Sequence, residues 1–216
     1  MAKHDETAYT RAVQMIEPPF TPSPQPSLRA SQRPSLRVFK IVLSWLAALL
    51  VALALQRFVF QSYQVFGHSM EPTLSEGDYL IISKIGPTWA DLRRDNYYPD
   101  RGDIVVINSP LDDTRLIKRV IGLPGERITV ANGQVRVYNQ AQPTGFDPYA
   151  ALGLGSKYTS GQLTIVVPAD HAFVVGDNRE AGGSLDSRND LGPVALDDII
   201  GKLVVRLWPV SKIDSF

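Results

Sequence analysis

Cysteine is absent from this 216-residue chain, which excludes disulfides, thiolate metal sites and a cysteine nucleophile. The absence leaves the compartment open, because a protein on the oxidising side of a membrane can also do without thiols. Net charge is lacking too: 22 basic and 22 acidic residues cancel, so no global basic field recruits nucleic acid. Histidine is scarce, with three copies at positions 4, 68 and 171, which leaves few candidates for the commonest general base. There is no internal repeat. The length suffices for one folded domain with extensions, and a core can form without covalent staples.

One long apolar run is present. IVLSWLAALLVALAL, Ile41 to Leu55, carries no charge, and Phe58, Val59 and Phe60 extend it beyond Gln56 and Arg57. With Lys40 and Arg57 snorkelling toward head groups, residues 38–60 approach the ~20 needed to span a bilayer as a helix. Arg29, Arg33, Arg37 and Lys40 stand before it with no acidic residue among them. The positive-inside rule then keeps the N-terminus cytoplasmic and sends the remainder across the membrane. A buried core helix is the competing reading, but the basic flank and proline-rich approach disfavour it. Ala52-Leu53-Ala54 resembles a signal-peptide cleavage site, yet the apolar run continues past it and its leading segment is long for a cleavable signal.

The organisation follows. Residues 1–37 contain EPPFTPSPQPS and little periodic hydrophobicity, and read as a disordered cytoplasmic tail. Residues 38–60 read as the membrane helix, and 61–216 as an extracytoplasmic, β-rich catalytic domain. Its short aliphatic runs are DYLIIS, GDIVVI, LIKRVIGL, ERITV, QVRVY, LTIVVP, AFVVGD and GKLVVRLWP. These argue for a mainly β fold. Asn132-Gly133 predicts a tight hairpin between two of them. Two stretches, 87–100 and 140–161, read as surface loops decorating the β core.

In GHSMEPTL, Gly67 to Leu74, Ser69 is a candidate nucleophile that needs a base. His4 lies in the tail across the membrane, and the His68 side chain diverges from its neighbour on an extended backbone. His171 remains, as a triad base or as a surface turn histidine before a strand. Lysine is the alternative, because a neutral amine accepts a hydroxyl proton once its pKa falls from about 10.4 toward the working pH. In LIKRVI, strand alternation sets Lys118 on the face of Leu116 and Val120, with Arg119 opposite. Bringing its pKa down by ~2 pH units costs the charged form about 2.7 kcal/mol, which partial desolvation can supply. A lysine reaching solvent from an edge strand gives the same pattern.

Four boxes shift the balance between these readings: GHSMEPTL, RGDIVVI (101–107), LIKRVIGLPGE (116–126), and GDNR followed by SLDSR (176–188). Together, in this order behind a membrane anchor, they resemble the type I signal peptidases. The resemblance covers residues 38 to about 205. It implies a signal-peptidase-like β domain and a Ser/Lys dyad endopeptidase that removes signal peptides from exported preproteins, with no metal or cofactor. By that match Ser69 is the nucleophile and Lys118 the general base. Ser184 matches a serine that hydrogen-bonds and orients the amine, Asp186 and Arg188 match a supporting ion pair, and Asp177 and Arg179 match structural positions of the same box. Without the resemblance, this segment reads as a solvated polar loop, which also suits Glu180, Asn189 and Asp190. Two departures stand out. Four residues, 180–183, separate GDNR from SLDSR, two more than the commonest spacing, and Gly67 occupies a position where some members place a hydroxyl oxyanion donor. The oxyanion hole would then use the Ser69 N–H and the space that Gly67 leaves.

By the same resemblance, Tyr63, Val65, Leu74, Leu80, Val106, Leu116 and Ile117 line the substrate pockets, although core packing selects such residues equally well. The expected partners are preprotein signal peptides and a lipid bilayer, either a plasma membrane or an internal one such as a thylakoid, and the oligomeric state stays open. Ser69 lies nine residues past Phe60, so an extended chain keeps it within ~30 Å of the bilayer. Phe58, Phe60, Tyr63, Phe66 and Trp208 are candidate interfacial aromatics. Two other readings use the same residues: a self-cleaving regulator of the repressor type, for which residues 1–37 offer no DNA-binding helical module, and an anchored binding domain without catalysis.

Overall fold

The computed structural model describes residues 36–216, so the tail expected at 1–37 lies, but for its last two residues, outside the described residues. Leu36–Phe58 forms helix α1, which has no charge between Lys40 and Arg57. At 1.5 Å per residue it is about 35 Å long, enough for a ~30 Å hydrocarbon layer. It is long and apolar enough to cross a membrane, and none of its side chains is buried. It starts and ends two residues before the expected 38–60 span, because Phe60 already opens a strand. The chain divides into two units, one ending at Trp45 and the other running from Leu46 to Phe216.

The second unit is mainly β. Its strands are β1 (Phe60–Gln64), β2 (Tyr79–Ser83), β3 (Ile104–Asn108), β4 (Arg115–Gly122), β5 (Arg127–Ala131), β6 (Gln134–Tyr138), β7 (Leu163–Val166), β8 (His171–Val175), β9 (Val194–Ala195), β10 (Ile199–Trp208) and β11 (Asp214–Ser215). All eight aliphatic runs of the sequence are strands. The large sheet runs β1-β2-β10-β3-β4-β8-β9 with β11 on β10, and a small sheet runs β6-β5-β7. Asn132 and Gly133, with φ of 52° and 79°, make the tight turn between β5 and β6. The 87–100 stretch is not all loop: Ile85–Arg93 forms helix α2, and Pro148–Ala151 forms a single turn, α3, whose first N–H groups bond the Asp147 carboxylate.

Two features of the pairing shape the site. β1 pairs only with β2, and the Arg115–Lys118 half of β4 pairs only with β3, since β8 engages β4 from Arg119 onward. Both strands therefore present an unpaired edge among the described residues. The sheet curls enough to bring these edges face to face, with the Arg115 guanidinium 5.6 Å from the Tyr63 ring centre. Val65, Met70, Leu74, Leu80, Ile82, Ile104, Val106 and Leu203 fill the core beneath that curl. A second core packs the small sheet onto the large one through Ile121, Ile128, Val130, Phe173 and Val175.

β10 joins β2 to β3 at close range. A Cβ at Gly201 would lie 2.4 Å from the Ser83 carbonyl oxygen, a backbone atom that cannot step aside. Gly201→Ala is expected to destabilise the domain by ~1–3 kcal/mol through forced displacement of the β2 pairing. Denaturant unfolding of the detergent-solubilised chain would register this as a lower midpoint.

Candidate active site

The loop after β1 turns at Gly67, whose φ of 78° suits glycine, and carries Ser69. Buried Met70 and Leu74 plug it into the core below. Asn178 holds it from above: its N–H donates to the Ser69 carbonyl at 3.0 Å and its side-chain amide to the His68 carbonyl at 3.2 Å. Thr73 donates to the Asp177 carboxylate, and the Arg206 guanidinium donates to the Thr73 carbonyl at 2.8 Å. The seryl hydroxyl thus sits on a backbone fixed from several directions.

Lys118 comes from β4 and is 2% exposed. Its Nζ lies 2.9 Å from Ser69 Oγ, within hydrogen-bonding distance. Burial is the main influence on the amine and disfavours its charged form. Asp186 opposes that effect, Arg188 adds to it, and the net result brings the pKa from 10.5 down to about 8. Asp186 is fully buried, bonded through both oxygens to the Arg188 guanidinium at 2.9 and 2.8 Å, and it also accepts the Gly176 N–H. The pair is nearly charge-neutral seen from a distance, so its fields at the amine largely oppose each other.

Ser184 departs from expectation. It is buried, but its hydroxyl has no hydrogen-bond partner among the described residues, the lysine amine included. It lies instead against Gly176, where a Cβ would meet Ser184 Oγ at 2.3 Å and the Ser69 carbonyl oxygen at 2.4 Å. The longer spacing before it folds as a turn, with the Gly183 N–H bonded to the Glu180 carbonyl. Gly183 packs directly on the Asn178 side chain. Asn189, read as a solvated loop residue, is bonded at both ends of its amide, to the Asp186 N–H and the Ser184 carbonyl.

A cleft of about 660 Å³ opens beside Ser69 and Lys118 between the two unpaired strand edges. Tyr63, Val65, Val106, Leu116 and Ile117 line this cleft. Leu74 and Leu80 do not: both are fully buried in the core beneath, because their strand and loop positions point away from the cleft. Among the described residues the Ser69 N–H has no hydrogen-bond partner, and space at Gly67 is open, with nothing within 4 Å of a built Cβ. His68 is exposed and faces Glu71 and Glu76, which raise its pKa. His171 starts β8 while Gly176 follows its end, roughly 16 Å along the strand, so neither histidine is placed to serve Ser69.

The clamping roles of Asn178, Thr73 and Arg206 have no signal in the sequence. Asn178 and Thr73 lie inside recognised boxes, but a side chain that holds a backbone carbonyl leaves no periodic signature. Strand alternation puts Arg119 on the far face of β4, and there it is buried against Asp177 in a two-pronged ion pair at 2.9 and 2.6 Å.

A hydroxyl bonded to a buried amine sits at the edge of this cleft, and the chain's relatives give its class as a serine peptidase. The sequence matches the family described as signal peptidase, peptidase S26, over residues 38–208. Signal peptidase I P of Bacillus subtilis subsp. natto is 33% identical over 186 residues, covering 82% of this chain and 95% of its own. Signal peptidase I T of Bacillus subtilis strain 168 is 34% identical, covering 76% and 82%, and signal peptidase I of Bacillus caldolyticus 36% identical, covering 78% and 90%. The chain belongs to the type I signal peptidases.

Because Gly176 separates Ser184 from the Ser69 carbonyl, Gly176→Ala must displace that carbonyl and the Ser69 hydroxyl with it. A shift on the order of 1 Å predicts roughly a 10²-fold loss of signal-peptide cleavage rate. Cleavage assays on a preprotein, run beside thermal unfolding, would separate this local effect from global destabilisation.

Proposed function

We propose that this membrane-anchored peptidase cuts signal peptides from exported preproteins with a Ser69/Lys118 dyad and an acyl-enzyme intermediate. The supporting observation is the 2.9 Å contact between Ser69 Oγ and an amine withdrawn from solvent. In the neutral form, the Lys118 lone pair accepts the hydroxyl proton as Oγ attacks the scissile carbonyl. The amine then passes that proton to the leaving nitrogen, an acyl ester remains on Ser69, and Lys118 activates the water that hydrolyses it. The Ser69 N–H, otherwise unengaged, is the backbone donor suited to the developing oxyanion, with Gly67 leaving the space. Asp186 and Arg188 position the amine, and Ser184 assists through the Gly176 backbone rather than through a bond to the amine.

The substrate enters as an added strand between the free edges of β1 and β4, with main-chain hydrogen bonds supplying affinity. Alternate side chains then point into the aliphatic floor formed by Val65, Val106, Leu116 and Ile117, which suits small residues one and three before the cut. The basic residues ahead of α1 keep the N-terminus cytoplasmic, so the cleft lies on the far side of the bilayer, where an exported chain emerges.

Lys118→Met keeps the bulk and removes the base, so it is expected to abolish cleavage while unfolding no earlier than the parent chain, since a buried ionisable group is lost. Cleavage retained within tenfold would contradict the dyad. Because the neutral amine is the active form, kcat/KM should rise with pH through a midpoint near 8 and stay high above it. A β-lactam-type acylating inhibitor should add its mass at Ser69, and absence of an adduct would favour a binding domain without catalysis.

A further inference from the structure

Helix α2 is built inside out for a helix on a water-soluble domain. Its large apolar residues, Ile85, Trp89 and Leu92, recur at the spacing of one helical face and are 43%, 54% and 73% exposed. Its small residues face the domain instead. Gly86 packs so closely on Tyr97 that a Cβ there would lie 2.3 Å from the ring, and Pro87 and Ala90 are half-buried. Burial in protein would select the reverse arrangement. The exposed stripe therefore lacks the partner that its composition calls for.

Hydrogen bonds show where this stripe sits. The Lys84 N–H donates to the Val59 carbonyl at 2.7 Å, the Lys84 amine to the Arg57 carbonyl at 3.3 Å, and the Thr88 hydroxyl to the Phe58 carbonyl at 3.0 Å. The first turn of α2 thus caps the end of α1, at the level where a membrane-crossing helix leaves the hydrocarbon. Nine residues span about 14 Å, so no part of α2 lies much farther than that from the end of α1. Charge leans the same way, since the cations here outnumber the carboxylates of Asp91 and Asp95. Lys84 precedes the helix, Arg93 and Arg94 close it, and a neighbouring cleft of about 1020 Å³ is lined by Arg57, Lys84 and Arg115 with no carboxylate. None of these five cations forms an ion pair with a carboxylate among the described residues.

We infer that α2 is an interfacial helix that lays Ile85, Trp89 and Leu92 into the outer face of the same bilayer that α1 crosses, with the surrounding cations on anionic head groups. The helix gives the domain a second membrane contact. Together with the bonded α1 terminus, it holds the domain at a set orientation to the lipid surface. The inference rests on α1 crossing the bilayer.

The chain contains no cysteine, so single cysteines can be introduced into the full-length protein for labelling. Leu50→Cys, Asp91→Cys and Leu92→Cys would each carry an environment-sensitive fluorophore, reconstituted in phosphatidylethanolamine and phosphatidylglycerol vesicles. Quenching by aqueous iodide is then compared with quenching by nitroxide-bearing lipids. The expected result is a Leu92 label several-fold better shielded from iodide than the Asp91 label and quenched by nitroxide near the head groups. Equal iodide access at 91 and 92 overturns the inference, and so does shielding at 92 without lipid quenching, which would mean that protein covers the stripe. The Leu50 label separates the two levels: quenching there by deep nitroxides with Leu92 in water rejects α2 docking alone, whereas no lipid quenching at Leu50 rejects the membrane span and α2 docking with it.

Discussion

A lysine amine held out of water beside a serine hydroxyl is the constraint around which this domain is arranged. Removing an ammonium from solvent disfavours it, and the depression of Lys118 to about 8 corresponds to about 3 kcal/mol against the charged form. The fold sustains this because the amine ends a side chain rooted mid-strand in β4, with β3 on one side and the Gly176–Arg188 segment nearby. Asp186 pulls the other way, by less than burial does. Its two-pronged bond to Arg188 makes that carboxylate half of a buried pair, and the Arg188 guanidinium adds to the effect of burial at the amine. About a tenth of the amine is then neutral at pH 7, against well under a thousandth for a free lysine.

Placing the hydroxyl is the second requirement, and distant pieces of chain meet it. Met70 and Leu74 anchor the Ser69 loop from the core, Asn178 holds its carbonyls, and Thr73 ties it to Asp177. Asp177 in turn neutralises Arg119, the residue next to Lys118 on the opposite face of β4. The serine loop, the lysine strand and the segment after β8 are therefore one bonded unit. Gly176 lies at their junction because only a residue without a side chain lets Ser184 and the Ser69 backbone approach so closely. The curl of the sheet does the rest by turning two unpaired edges toward each other across the cleft.

Much of this was legible in the sequence, for identifiable reasons. Aliphatic runs bounded by glycine, proline, asparagine and aspartate marked eight strands, and the Asn-Gly pair marked one hairpin. β1 escaped because FQSYQ has no branched aliphatics and follows directly on an apolar helix; it is an edge strand beside a cleft, where polar residues are tolerated. α2 escaped because its apolar stripe faces outward, so proline, tryptophan and paired arginines read as a loop. Strand alternation correctly separated Lys118 from Arg119, but could not show that both faces are buried. The pocket positions divided for a similar reason: Leu74 and Leu80 are aliphatic for the core, Leu116 and Ile117 for the cleft, and composition alone cannot distinguish these uses. The hydroxyl of Ser184, placed by register within a box, required coordinates to reveal that it meets a backbone rather than the amine.

The most direct test is to titrate the Lys118 amine itself by NMR in the full-length protein, with side-chain nitrogen labelled and the signal assigned by its loss in Lys118→Met. Proton release centred near pH 8 is the result expected from the buried geometry. Release above pH 10, where solvated lysines titrate, would show that the amine is not held in the state its proposed role demands.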